Sequence, residues 1–142
     1  MPGLRRKHHA ENLRHAQDLW DLGCEQEAVA DLELMLPALQ PKTVAVDAIS
    51  IATLATYLAE LGDPHRGLTL LSQIPLDGTR LTEVRLFCLG ARCTCRAAAG
   101  DRVGAQHDRD TIRGCDPRHP ALTLADMGLD RAGDEASPAP PR

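Results

Sequence analysis

Residues 51–75 read IATLATYLAELGDPHRGLTLLSQIP. Ile51, Leu54, Ala55, Leu58 and Leu61 recur at the three- and four-residue spacing of one helical face, until Gly62 interrupts them. Leu68, Leu71 and Ile74 resume the pattern, and Pro75 ends it. Glycine can adopt the left-handed conformation that closes a helix, so Gly62 reads as the residue just past a helix end. Asp63 then stands where a carboxylate caps the next helix. Pro64 is tolerated in that first turn, because the N–H it lacks would have no partner there. The stretch is predicted to be a pair of helices joined by a tight turn.

The same break occurs twice more, at Leu22-Gly23-Cys24 and Ala99-Gly100-Asp101, with the three glycines 39 and 38 residues apart. Ahead of Gly23, Leu13, Ala16, Leu19 and Trp20 share a face; behind it Ala28, Leu32, Met35 and Leu36 do so before Pro37. Around Gly100 the corresponding stripes are Val84, Phe87, Ala91, Cys95 and Ala98, then Val103, Ala105 and Ile112. Asp101 is a second candidate N-cap. Past Pro117 and Pro120, residues 121–131 place Leu122, Ala125 and Leu129 on one face, as a helix covering the open end of an array would. No useful strand-like alternation occurs, so the fold class is all-α. The expected organisation is a flexible basic start at 1–7, helix pairs at about 8–41, 44–78 and 80–117, a capping helix at 120–131, and a disordered Pro/Ala-rich tail at 132–142.

The 142 residues, 43% hydrophobic and 25% charged, suit one small domain with its own core. A net charge of −4 and a single Trp, Tyr and Phe speak against gripping phosphates or stacking bases, so nucleic acid is not the expected partner. The richest apolar stretch, 44–61, is broken by Asp47, Ser50, Thr53, Thr56 and Glu60, so no membrane span is expected. Arg5, Arg6 and Lys7 run into Glu11 and Asn12 without an apolar segment, which fits no secretory leader and points to a cytoplasmic location. The five cysteines are then expected as thiols. Abundant Ala, Arg, Gly and Pro suggest a GC-rich bacterial source.

Paired helices with a Gly-Asp turn and a small residue five positions after the Gly (Ala28, Gly67, Ala105) resemble the tetratricopeptide repeat. In the second unit Ile51, Leu54-Ala55, Leu58, Gly67 and Leu71 follow that family's pattern. In the first unit Ala16, Leu19, Ala28 and Leu32 fit, while Asn12 and His15 stand where apolar residues are usual. In the third, Cys93, Ala105 and Pro117 fit, but Arg96 and Arg109 occupy slots usually filled by large apolar side chains. The resemblance spans about residues 10–117. It implies a right-handed superhelix of three hairpins, whose first helices line a concave groove. By that resemblance the groove would expose Leu13, Gln17 and Trp20, then Ile49, Thr53 and Thr56, then Phe87, Gly90 and Thr94. No recurrent Lys and Asn set occupies those places, which speaks against the subtype that clamps acidic C-termini.

Other constellations carry less. Cys93 and Cys95, two apart on a helix, point to nearly opposite sides and cannot share an ion. Cys88 and Cys95 share a face but stand about 10 Å apart along the axis, too far for a disulfide or one zinc. His8, Glu11 and His15 read as a solvated face, and His107, Asp108 and Asp110 as charged surface. Neither a nucleophile elbow nor a phosphate-binding loop is present. The expectation is a non-enzymatic adaptor without cofactor or metal, holding a peptide or helix of another protein in its groove. A homodimer could cover a weak third pair. The alternatives are a metal or redox sensor built on Cys88, Cys93, Cys95 and Cys115, and an effector-receiving module of a transcription-regulatory system.

Overall fold

The computed structural model describes the backbone of residues 2–78 and 80–136 and the side chains of residues 7–78 and 80–132. Among the described residues the chain is all-α, without strands: α1 (Pro2–Asp21), α2 (Glu25–Met35), α3 (Ala45–Glu60), α4 (Pro64–Leu71), α5 (Glu83–Ala98), α6 (Arg102–Cys115) and α7 (Ala121–Ala136). A 3-10 turn at Leu36–Ala38 follows α2, where Pro37 forbids a further α-turn. The backbone from Pro2 is continuous with α1, so the start expected to be flexible is helical there, and its first residue lies outside the described residues. Helix α7 runs five residues past the expected cap, and residues 137–142 of the expected tail also lie outside the described residues.

Three helix ends share one geometry. Gly23, Gly62 and Gly100 have φ of 86°, 91° and 91°. At each, the glycine N–H reaches back to one carbonyl and the next N–H to an earlier one: Gly23 to Trp20 and Cys24 to Leu19, Gly62 to Ala59 and Asp63 to Leu58, Gly100 to Ala97 and Asp101 to Arg96. This paired arrangement satisfies carbonyls that a helix end otherwise leaves bare. Asp101 Oδ1 accepts from Gly104 N at 2.9 Å, as an N-cap does. Asp63 makes no such bond; Pro64 and the turn geometry alone start α4.

Each turn brings two small residues to the crossing of its helices. Ala16 and Ala28, Ala55 and Gly67, Cys93 and Ala105 are all buried. At Gly67 the approach is close enough to exclude a side chain: a Cβ there would lie 2.9 Å from Ala55 O and 2.8 Å from Cys95 Sγ.

Helices α1, α3, α5 and α7 lie side by side and run in the same direction. His9 meets Asp47 and Trp20 meets Tyr57; Ala48 and Ala55 meet Cys88 and Cys95; Ala121, Ala125 and Gly128 meet Gly90, Cys93 and Thr94. The correspondence advances at both ends of each pair, which only parallel neighbours allow. Helices α2, α4 and α6 form the other layer, each packing on its own hairpin partner and on the first helix of the next hairpin. Arg66 to Glu33, 3.0 Å, joins α4 to α2.

The central helices are buried on more than one stripe. In α5, Leu86, Cys88, Leu89, Gly90, Ala91, Cys93, Thr94, Cys95 and Ala97 are all inside. Small side chains on such a helix let neighbours approach from several directions. Two expected core residues fall outside it: Ala98 is exposed, and Val103 is 81% exposed. The buried stripe of α6 is Ala105, Asp108 and Ile112, and Val103 is turned about 200° from Ala105.

Candidate functional site

The residues that the repeat resemblance assigns to the groove lie on α1, α3 and α5, and the structure treats them differently. Leu13 is a core residue, 7% exposed, and Ile49 packs against the same cluster. Thr94 is buried: Gly128 of α7 sits over its Cα, and its hydroxyl donates to Gly90 O. Phe87 meets His119 edge-on at 4.7 Å. The α5 members are thus already engaged by α7 and the segment before it. Gln17, Trp20, Thr53 and Thr56 are half-buried and remain accessible.

The threonine hydroxyls of α3 are spent as donors. Thr53 donates to Ile49 O at 2.8 Å and Thr56 to Ala52 O at 2.9 Å, each a bond within the helix. Their lone pairs remain open, but their hydrogens are used within the helix. Trp20 and Tyr57 stack face to face, ring centroids 3.9 Å apart and planes within 3°. Tyr57 is 9% exposed, and burial, together with the nearby charges of Asp21 and Glu60, pushes its pKa up to about 12.

Glu60 forms an ion pair with a residue two helices away. Arg131 Nη1 of α7 lies 3.5 Å from Glu60 Oε1 of α3, across the small side chains of α5. Ala59, Glu60, Thr94, Ala98, Gly128, Arg131 and Ala132 enclose a cavity of about 60 Å³ there.

The cysteines divide as helix geometry predicts. Cys88 and Cys95 face α3, with Sγ 3.8 Å from Ala48 O and 3.4 Å from Ala55 O; Cys93 faces α7, 3.8 Å from Ala125 O. Burial pushes all three thiols up to about 12. The thiolate is the reactive form, so these groups are almost wholly unreactive near neutral pH. All five cysteines are free, and among the described residues no three His, Cys, Asp or Glu side chains form a metal cluster. A thiol reagent such as dithionitrobenzoate is expected to label exposed Cys115 first and half-buried Cys24 next. Cys88, Cys93 and Cys95 should react only on unfolding, and rapid release of five equivalents from the folded chain would contradict this packing.

Two polar constellations escaped the sequence reading. Asp108, read as charged surface, is 0% exposed. It accepts from Arg92 Nε at 3.1 Å and Nη2 at 2.8 Å, and from Arg96 Nη1 at 3.0 Å; Arg92 also grips Asp77 through two bonds. Arg96 therefore fills its apolar slot by pairing with an acid opposite. Burial lowers the pKa of Arg92, but its bonds to Asp77 and Asp108 outweigh that and hold it above the ordinary value. The bond from Arg92 likewise holds the Asp77 carboxyl below the usual range. The second constellation joins α1 to α3: His9 Nδ1 lies 2.7 Å from Asp47 Oδ1, and Gln40 N donates to Asp47 Oδ2 at 2.8 Å. Asp47 was detectable only as a single charge inside an apolar run, and Asp108 only by its place on the stripe of Ala105 and Ile112.

Among the described residues no helix is long and apolar enough to cross a membrane. Compared with family models, with curated proteins and with solved structures, the chain gives no significant match, so its reading rests on the geometry above.

Proposed function

We propose that the chain is a non-enzymatic binding module of the tetratricopeptide type, a right-handed superhelix of three hairpins closed by α7. Its hollow inner face takes a peptide or helical segment of another protein. The observation that supports the reading is the ion pair of Glu60 with Arg131 across α5, which would span an inward-curving face of the parallel layer. The three matching helix ends and the small-residue crossings support a repeated unit rather than an unrelated bundle. Because α7 covers Thr94, the accessible stretch of this face is its α1–α3 end, with Gln17, Trp20 and Thr56 on it. A guest would bury apolar surface there and accept hydrogen bonds from Gln17 and Trp20.

Selection from a displayed random-peptide library tests this. Peptides enriched on the parent chain are expected to lose at least tenfold in affinity, about 1.4 kcal/mol, on Thr56→Arg, with the helical circular-dichroism spectrum unchanged. Enrichment of no peptide, or of peptides indifferent to Thr56→Arg and Trp20→Ala, would refute the inner-face reading.

A further inference from the structure

The C-terminal ends of α1 and α3 meet at the Trp20–Tyr57 stack, and that corner has a definite chemistry. Asp21 is the last residue of α1 and Glu60 the last of α3, so two carboxylates add to the partial negative charge of two helix ends. Beside burial, both carboxylates lie close enough to raise the pKa of the Tyr57 hydroxyl. Tyr57 itself is nine-tenths buried, with its hydroxyl oxygen still reaching solvent. Trp20 is half-buried, so part of its ring stays accessible, and an indole is the best aromatic surface for a cation. Arg131 shows what chemistry suits the corner: its guanidinium already lies against Glu60, although both groups keep solvent contact.

We infer that this corner selects a basic segment of the partner, receiving a lysine or arginine side chain against Trp20 and Tyr57, between Asp21 and Glu60. The inference rests on the inner-face reading and supplies its specificity. The guest cation lies over the Trp20 ring, is hydrogen-bonded by the carboxylates and the Tyr57 oxygen, and competes with Arg131 for Glu60. Arg131 thereby acts as an internal stand-in that the partner must displace. Charge complementarity favours a peptide of net positive charge, whereas an acidic peptide meets like charge from both carboxylates.

The chain's single Trp makes the test direct. Trp20 emission is followed while the full chain is titrated, at low salt, with a dodecapeptide of arginine and alanine and with its glutamate–alanine counterpart. The basic peptide is expected to give a saturable change at least tenfold tighter than the acidic one, weakening as salt rises. The Asp21→Asn/Glu60→Gln double variant should bind it at least tenfold more weakly. Arg131→Ala should bind it several-fold more tightly, a gain that simple damage to the fold cannot produce. Equal responses to the two peptides, or binding unchanged in the double variant, would overturn the inference. If library-selected peptides bind in a Thr56-dependent way while the basic peptide does not, the cationic preference alone falls. If no peptide binds the inner face, both readings fall.

Discussion

Asp108→Ala is expected to be the most damaging single substitution in the chain, lowering unfolding free energy by about 3–5 kcal/mol. The removed carboxylate is fully buried and is the shared acceptor of Arg92 and Arg96. Without it, Arg92, whose side chain is 11% exposed, keeps only Asp77. Arg96 keeps Asp101 at 4.0 Å and the Gly104 carbonyl at 3.5 Å. The cost comes from guanidinium charge left inside with fewer partners, not from the volume of the lost carboxylate. It follows that replacing Arg92 and Arg96 by Met and Asp108 by Leu together should recover most of the loss, since a dry apolar cluster needs no partners. Urea unfolding followed by circular dichroism measures both. A loss below about 1 kcal/mol for Asp108→Ala would mean that water reaches the two arginines.

Gly67→Val should cost about 3 kcal/mol by the same measurement, at the upper end of what overpacking a core costs. The new Cβ would stand 2.9 Å from Ala55 O and 3.3 Å from Ala55 Cα, and backbone cannot move aside as a side-chain tip can. The Cys95 thiol, 2.8 Å away on the other side, closes the remaining exit. Gly67→Ala meets the same contacts with less bulk, partly offset by the roughly 1 kcal/mol by which Ala favours a helix over Gly. Gly114→Ala is the control: that helical glycine has nothing within 4 Å of an added Cβ, and the change should be neutral or stabilising. A Gly67→Val chain as stable as the parent would show that α4 can ride outward from α3, and the close crossing would cease to define the hairpin.

What the sequence made legible follows from what is local. Gly23, Gly62 and Gly100 announce their turns because a left-handed residue is needed at each, and few residue types supply it. The small pairs, such as Ala16 with Ala28, are visible because twelve residues separate the members in every unit. Asp108 was missed because its neighbours His107 and Asp110 are exposed and charged, so the local composition resembled surface. Its stripe with Ala105 and Ile112, together with the misplaced Arg96, was the available signal, but it requires pairing two anomalies across different helices. The groove was less legible still. That Thr94 lies under Gly128 depends on how α7 settles on α5, which no spacing within either helix specifies. Nor does sequence spacing tell that Thr53 and Thr56 turn their hydroxyls back onto their own helix.

The apolar interior is divided rather than single. One cluster joins α3 through α7, a second joins α1, α2 and α3, and a smaller third, with Cys93, Ala105 and Leu129, joins α5, α6 and α7; Leu36, Leu39 and Leu70 touch the first two. Mechanical or chemical stress applied to the N-terminal pair would strip it from its neighbours like the end coil of a spring. The remaining hairpins would stay dry while the aromatic corner, split between the departing pair and α3, ceased to exist. The binding proposed above would then be lost well before the chain as a whole came apart.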